Sequence, residues 1–232
     1  MDMNLFSEKE IIETYNNYVL KDIDYFTKVT REYSKLSDEE KIKLNENTCC
    51  RACSIFDFKE WINKYNISSV ENLLITCWDD IELNYISANN ITISHYDTNK
   101  ENDLHRINLD FKNYDFIIFN QTLEHLYNPF IAMKNLYDHL KPGGYLYTTV
   151  PTINTPHVLP FHFWGITPIG LCMLSKSVGF NILECGFWGN LEYVNTILNT
   201  GDWPKLEEVF NSCEKLNINS LGQSQTWVLV QK

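Results

Sequence analysis

The chain has 232 residues, 44% of them apolar and 14% aromatic, enough to bury the core of one sizeable domain with a helical extension. Its formal net charge of -11 argues against a nucleic-acid partner, which needs a basic stripe to displace counterions, and leaves a small molecule as the expected ligand. The N-terminus, MDMNLFSEKEII, has no basic segment leading into an apolar run, and no stretch approaches eighteen consecutive apolar residues, so a cytoplasmic protein with no membrane partner is expected.

Residues 1–70 read as a helical extension. Ser7 with Glu10 and Ser37 with Glu40 have the spacing of capping boxes, in which hydroxyl and carboxylate satisfy each other's orphan N–H groups. Ile23, Phe26, Thr30 and Tyr33 fall on one helical face. That stripe serves core packing, a lid over a cofactor or a homodimer face, and periodicity alone does not choose among them. Asp57 with Glu60 predicts another helix, through Trp61 to about Tyr65. The cluster Cys49-Cys50-Arg51-Ala52-Cys53 contains a CxxC, but with no second pair in the sequence it reads as buried thiols, and no metal site is assigned. The seven cysteines, an odd and irregularly spaced set, fit reduced thiols better than a disulfide scaffold.

From residue 71 to 232 short apolar runs alternate with helical segments, the pattern of a parallel sheet covered on both faces. Strands are expected at Asn72–Cys77, Ile91–His95, His105–Leu109, Phe116–Asn120, Tyr145–Val150, Asn181–Phe187 and Thr226–Gln231. The fold class is therefore α/β, a doubly wound, seven-stranded, mostly parallel sheet. Asn128-Pro129 and Thr167-Pro168 each place a cap before a proline whose missing N–H is harmless at the first helical position. The first of these helices is expected to stop at Lys141-Pro142-Gly143-Gly144 and the second before Gly179, while Pro204 opens a helix to about Ser212.

Three segments in order, YDFIIFNQTLEHLYNP, LKPGGYLYTTVP and HFWGITPIGLCMLSKSVGF, resemble the second half of the class I S-adenosylmethionine-dependent methyltransferases, especially those that modify small molecules and sugars. The resemblance covers roughly residues 72 to 190 and implies a Rossmann-like fold, S-adenosylmethionine as cofactor and a small polar methyl acceptor. It places the cofactor turn after the first strand, at Thr76, Cys77 and Trp78. The family's turn is glycine-rich, because backbone must approach the cofactor with no Cβ between, yet no glycine occurs between residues 1 and 142. The resemblance gives Asp97 to the ribose hydroxyls, Asn108 and Asp110 to the adenine, and the turn Asn120-Gln121 to the cofactor face. A catalytically inactive scaffold with the methyltransferase fold is the rival reading, and Trp78 in the cofactor turn is its best argument.

His125, past the fourth expected strand, and His162 are the candidate bases, since a neutral imidazole can take a proton from an acceptor hydroxyl as the methyl group arrives. Glu124 and His125 capping a helix is the structural alternative. The loop from Pro151 to Ile166 is long enough to suggest function. Its His157 and His162 suit a substrate such as a sugar, and Phe161 and Trp164 are expected in the core.

Overall fold

A computed structural model of the chain describes residues 5–20, 24–76, 81–94, 102–107, 109–212 and 222–232. Four helices come first: α1 (Glu8–Thr14), continuing into a π-helical turn, α2 (Tyr25–Ser34), α3 (Asp38–Asn45) and α4 (Cys49–Lys64). Both capping boxes form, Ser7 with Glu10 and Ser37 with Glu40. Then follow β1 (Ser69–Ile75), β2 (Ser87–Ile93), β3 (Tyr114–Asn120), α5 (Pro129–His139), β4 (Leu140–Pro151), α6 (Pro168–Ser177), β5 (Asn181–Trp188), α7 (Leu191–Thr200), α8 (Leu206–Ser212) and β6 (Gln225–Gln231). They build one sheet in the order β2-β1-β3-β4-β6-β5. The first four strands are parallel, and β6 runs antiparallel between β4 and β5.

Side chains alternate faces along a strand, and both faces of this sheet are buried. Leu73, Ile75, Phe116, Ile118, Tyr147, Trp227 and Leu229 face one core with α4, α7 and α8. Leu74, Ile117, Phe119, Leu146, Val228 and Val230 face the other with α5 and α6. The continuous apolar runs of β3 and β6 follow from this two-sided burial. Helix α4 is tied to its face by polar anchors: Asp57 accepts from Trp227 Nε1 at 2.8 Å and pairs with Lys28, and Tyr147 donates to Ser54 O at 2.9 Å. Glycine is required at 186, where a Cβ would fall 2.5 Å from Asp57 Oδ2 and 2.2 Å from Trp227 Nε1.

The structure corrects four sequence expectations. Among the described residues the sheet has six strands, where seven were expected. Described residues of His105–Leu109 form a turn instead of a strand, because Asp103 takes their donors: its side chain accepts from His105 N at 3.0 Å and its carbonyl from Arg106 N at 2.9 Å. The helix expected from Asp57 starts at Cys49. Thr48 accepts from Arg51 N at 3.3 Å there, a cap without the acidic partner that would have made it visible. The helix from Pro129 ends at His139, just before Lys141–Gly144 as expected, and that stop is also the opening of β4. Leu140 pairs with Tyr114, and the Gly143 and Gly144 backbone exchanges hydrogen bonds with Lys232. The fourth correction, at Phe161 and Trp164, belongs to the site below. Helix α7, capped by Asn190 and ended by Gly201 at φ 75°, is an element that the sequence reading passed over.

Candidate active site at the carboxyl edge of the sheet

Strand β3 ends at the buried Asn120, and the chain turns through Gln121 in the left-handed region, φ 48°. Such a φ is uncommon for a residue with a Cβ. Here it is held from both ends, since Gln121 donates its N–H to Thr149 O at 3.0 Å and Nε2 to Thr149 Oγ1 at 2.9 Å. A short 3-10 turn, Leu123–His125, follows. The long segment after β4 folds back onto it through three bonds: His125 Nδ1 to Phe161 O at 2.6 Å, Phe163 N to Glu124 O at 2.8 Å, and Trp164 Nε1 to Leu126 O at 2.8 Å. Phe161 and Trp164, expected in the core, are 56% and 42% exposed. Their backbone carbonyl and indole N–H, not their apolar faces, fix the segment.

This folding brings His125, His157 and His162 together. The ring centroids lie 4.9 Å apart for 125–157, 5.9 Å for 125–162 and 4.7 Å for 157–162, with planes steeply inclined. A carbonyl only accepts, so the contacts of His125 Nδ1 with Phe161 O and of His157 Nδ1 with Thr155 O (3.1 Å) make both Nδ1 atoms donors. In the neutral rings Nε2 then carries the lone pair. Burial, then the neighbouring His157, holds His125 and His162 below the ordinary imidazole range, so neither is charged at neutral pH. Glu124 is fully buried, neither of its carboxyl oxygens has a hydrogen-bond partner among the described residues, and burial pushes its carboxyl up to about 8. Its Oε1 lies 3.7 Å from His125 Nε2.

A cavity of about 350 Å³ opens beside the histidines. The N-terminal helices line it with Glu46, Asn47, Thr48, Cys50 and Arg51; the sheet edge adds Gln121, Asn154, His157, Trp203 and Gln225. Trp203 donates to Asn154 Oδ1 at 2.7 Å and meets His157 edge-on at 5.8 Å. Cys50 Sγ is 3.3 Å from Thr48 Oγ1 and 3.5 Å from Tyr193 Oη, and Cys49 and Cys53 are buried in the same helix.

The edge formed by β1 and β2 is built differently. Residues 76–86 join these parallel strands, and the helical part described there is a 3-10 turn, Ile81–Asn84, where a parallel crossover usually carries an α-helix. Glu82 in this turn is fully buried and paired with Arg51 of α4 at 2.5 and 2.6 Å. It also accepts from Asn120 Nδ2 at 2.7 Å. Thr76 donates its hydroxyl to Ile118 O at 3.3 Å. Two buried polar atoms at this edge, Ser94 Oγ after β2 and Asn120 Oδ1, have no hydrogen-bond partner among the described residues. Of the residues the sequence marked for the cofactor, Thr76, Asn120 and Gln121 stand together at the ends of β1 and β3, while Cys77, Trp78, Asp97 and Asn108 lie outside the described residues. Asp110 is exposed. Arg51 and Glu82 were not marked: nothing in their separate sequence contexts announces a pair 31 residues apart. His157 and His162, both marked for the substrate in the sequence, stand beside His125.

A family model described as a methyltransferase domain matches residues 44–169. No curated protein matches the chain. Among solved structures, a candidate sarcosine dimethylglycine methyltransferase from Galdieria sulphuraria is 12% identical with a TM-score of 0.51, over 78% of this chain and 87% of that one. An S-adenosylmethionine-dependent methyltransferase from Archaeoglobus fulgidus is 14% identical, with a TM-score of 0.43, over 77% and 94%. Another from Mesorhizobium loti is 10% identical, with a TM-score of 0.45, over 75% and 98%. At such identities the Galdieria structure supports the fold alone, but the family match spans more than half of the sequence. The chain thus belongs to the methyltransferase domain family and is a class I S-adenosylmethionine-dependent methyltransferase.

Proposed function

We propose that the enzyme methylates a small polar molecule seated in the 350 Å³ cavity, and that its histidine cluster activates the acceptor. The observation that carries this reading is the junction of cavity and cluster: His157 lines the one and belongs to the other. The cavity is small, and its lining mixes amide, hydroxyl and charged groups with one indole, Trp203, a set suited to a sugar or another polyhydroxy compound. The small amine in the name of the Galdieria protein is of the same size class.

The residues present fit S-adenosylmethionine in kind. Ser94 Oγ and Asn120 Oδ1, buried and without a partner among the described residues, offer polar contacts at the carboxyl edge, where ligands of open α/β sheets bind. Thr76, Gln121 and, from the resemblance, Cys77, Trp78, Asp97 and Asn108 complete the proposed set. When bound, the cofactor supplies an electrophilic methyl group.

The protein's own work is to hold the acceptor and manage its proton. Cavity walls from two parts of the chain position the acceptor, and positioning supplies much of the rate in a displacement of this kind. The imidazole cluster offers neutral lone pairs where a hydroxyl sheds its proton, with His125 oriented by its bond to Phe161 O and His162 beside it. The deciding experiment is transfer of labelled methyl from S-adenosylmethionine to a panel of sugars, amines and carboxylates. Labelling of a hydroxylated acceptor that is lost in His125→Ala supports the assignment, and full activity of a His125→Ala/His162→Ala double variant would exclude it.

A further inference from the structure

We propose that His125, His157 and His162 form a binding site for a divalent transition-metal ion of the zinc class. This deepens the reading of the acceptor site above and rests on it only for the role of the ion, not for its binding. One ring nitrogen from each histidine can be chosen so that all three lie within 4.8 Å of one another. In a tetrahedral zinc site, with metal–nitrogen distances of about 2.0–2.1 Å, ligand nitrogens stand roughly 3.3 Å apart. Side-chain rotation of the order of an ångström closes that difference.

The surroundings are those of a ligand set. A metal-binding histidine nearly always donates its second N–H to a carbonyl or carboxylate, which fixes the tautomer and aims the lone pair. His125 and His157 already do this, through Phe161 O at 2.6 Å and Thr155 O at 3.1 Å. The third, His162, has a buried Nδ1 with no partner among the described residues, an orphan that a bound ion would satisfy. The chain also spends backbone strain here: Val158, next to His157, sits at φ 52°, a genuine outlier for a β-branched residue and a mark of imposed geometry.

Three imidazoles select zinc, copper, nickel or iron over magnesium and calcium, which prefer oxygen. Three protein ligands leave a coordination position open, as in catalytic sites. His157 lines the acceptor cavity, so that position is available to a water or to an acceptor oxygen. With the ion in place the three lone pairs are occupied, and the cluster then acts on the acceptor by coordination instead of by direct proton removal.

The test uses the full chain without an affinity tag, stripped of metal by chelation, with neither cofactor nor acceptor present. Zinc is titrated by calorimetry, and cobalt by its visible absorption, which reports tetrahedral geometry. One ion per chain is expected. His157→Ala and His162→Ala, or the milder His157→Gln if alanine disturbs folding, are each expected to weaken binding about tenfold or more, with thermal unfolding of the metal-free protein unchanged. Cys53→Ser should bind as the parent does. The proposal is overturned if binding is substoichiometric, if it persists unchanged in the histidine variants, or if it is lost with the cysteine. Failure of this titration leaves the methyltransferase reading intact, and failure of S-adenosylhomocysteine to bind in a separate titration leaves the metal site intact.

Discussion

The two halves of the sheet's carboxyl edge differ in what their polar groups are doing. On the β3–β4 side, three imidazoles and a protonatable carboxyl stand beside an open cavity, held by bonds from backbone to backbone and from ring to backbone. On the β1–β2 side, the polar groups are largely spent on one another, in the buried chain Arg51–Glu82–Asn120. The first arrangement leaves chemistry free for a ligand. The second ties an N-terminal helix to the β1–β2 side, in a chain with no glycine between residues 1 and 142. On the reading proposed above, acceptor and cofactor are thus served by two differently built halves of one edge.

Removing His125 is the sharpest way to separate the halves. His125→Ala is expected to lower kcat by roughly 10²–10⁴-fold, the usual worth of a positioned acid or base. Affinity for S-adenosylhomocysteine should be unchanged, and stability should fall only by the one bond to Phe161 O, about 1 kcal/mol. A matching loss of cofactor affinity would show that the two halves are not separable.

Arg51→Met attacks the other half. It removes the guanidinium that faces the buried Glu82 carboxylate and should cost about 3–5 kcal/mol in urea unfolding. Arg51→Met/Glu82→Leu should recover much of that stability, because replacing both members of a buried pair is often neutral. If the double variant is stable yet no longer binds S-adenosylhomocysteine, the pair is there to shape the cofactor edge.

A smaller effect probes the opposite end of the strands, as a control far from both halves. Burial would raise the Asp115 carboxyl, but bonds from Lys141 and the Asn72 N–H outweigh it and hold it below the usual carboxylate range. A depressed carboxylate stabilises the fold above its unfolded value of about 3.9, and the contribution is lost as pH falls through the lower, folded value. The acid limb of stability against pH should therefore flatten in Asp115→Asn, with methyl transfer unaffected at neutral pH. The smallest expected change is that of Val158→Gly. It relieves the left-handed strain, worth about 1 kcal/mol against the added entropy of glycine, so stability should move by only a few tenths while KM for the acceptor rises.

How much of this was legible follows from where each signal resides. The caps Ser7, Ser37, Asn128 and Thr167 act within three residues, and each was read correctly because the chemistry is local. The two-faced burial of β3 and β6 shows as uninterrupted apolar runs. What escaped depends on distant partners. His105–Leu109 has strand-like composition, but Asp103 diverts its donors. Arg51 looks like a helix surface residue until Glu82 arrives from the far side of β1. The candidate histidines 125 and 162 were visible as polar residues in a functional turn and loop. Their convergence with His157 was not, since it depends on a loop folding back through Phe161 O.

The most direct test of the whole account is a calorimetric titration of the purified chain with S-adenosylmethionine and with S-adenosylhomocysteine. Saturable binding of both with one site per chain is the expected result, despite the absence of glycine from the cofactor turn. If neither binds at millimolar concentration, the β1–β2 edge does not hold the cofactor, and the assignment as a working methyltransferase fails.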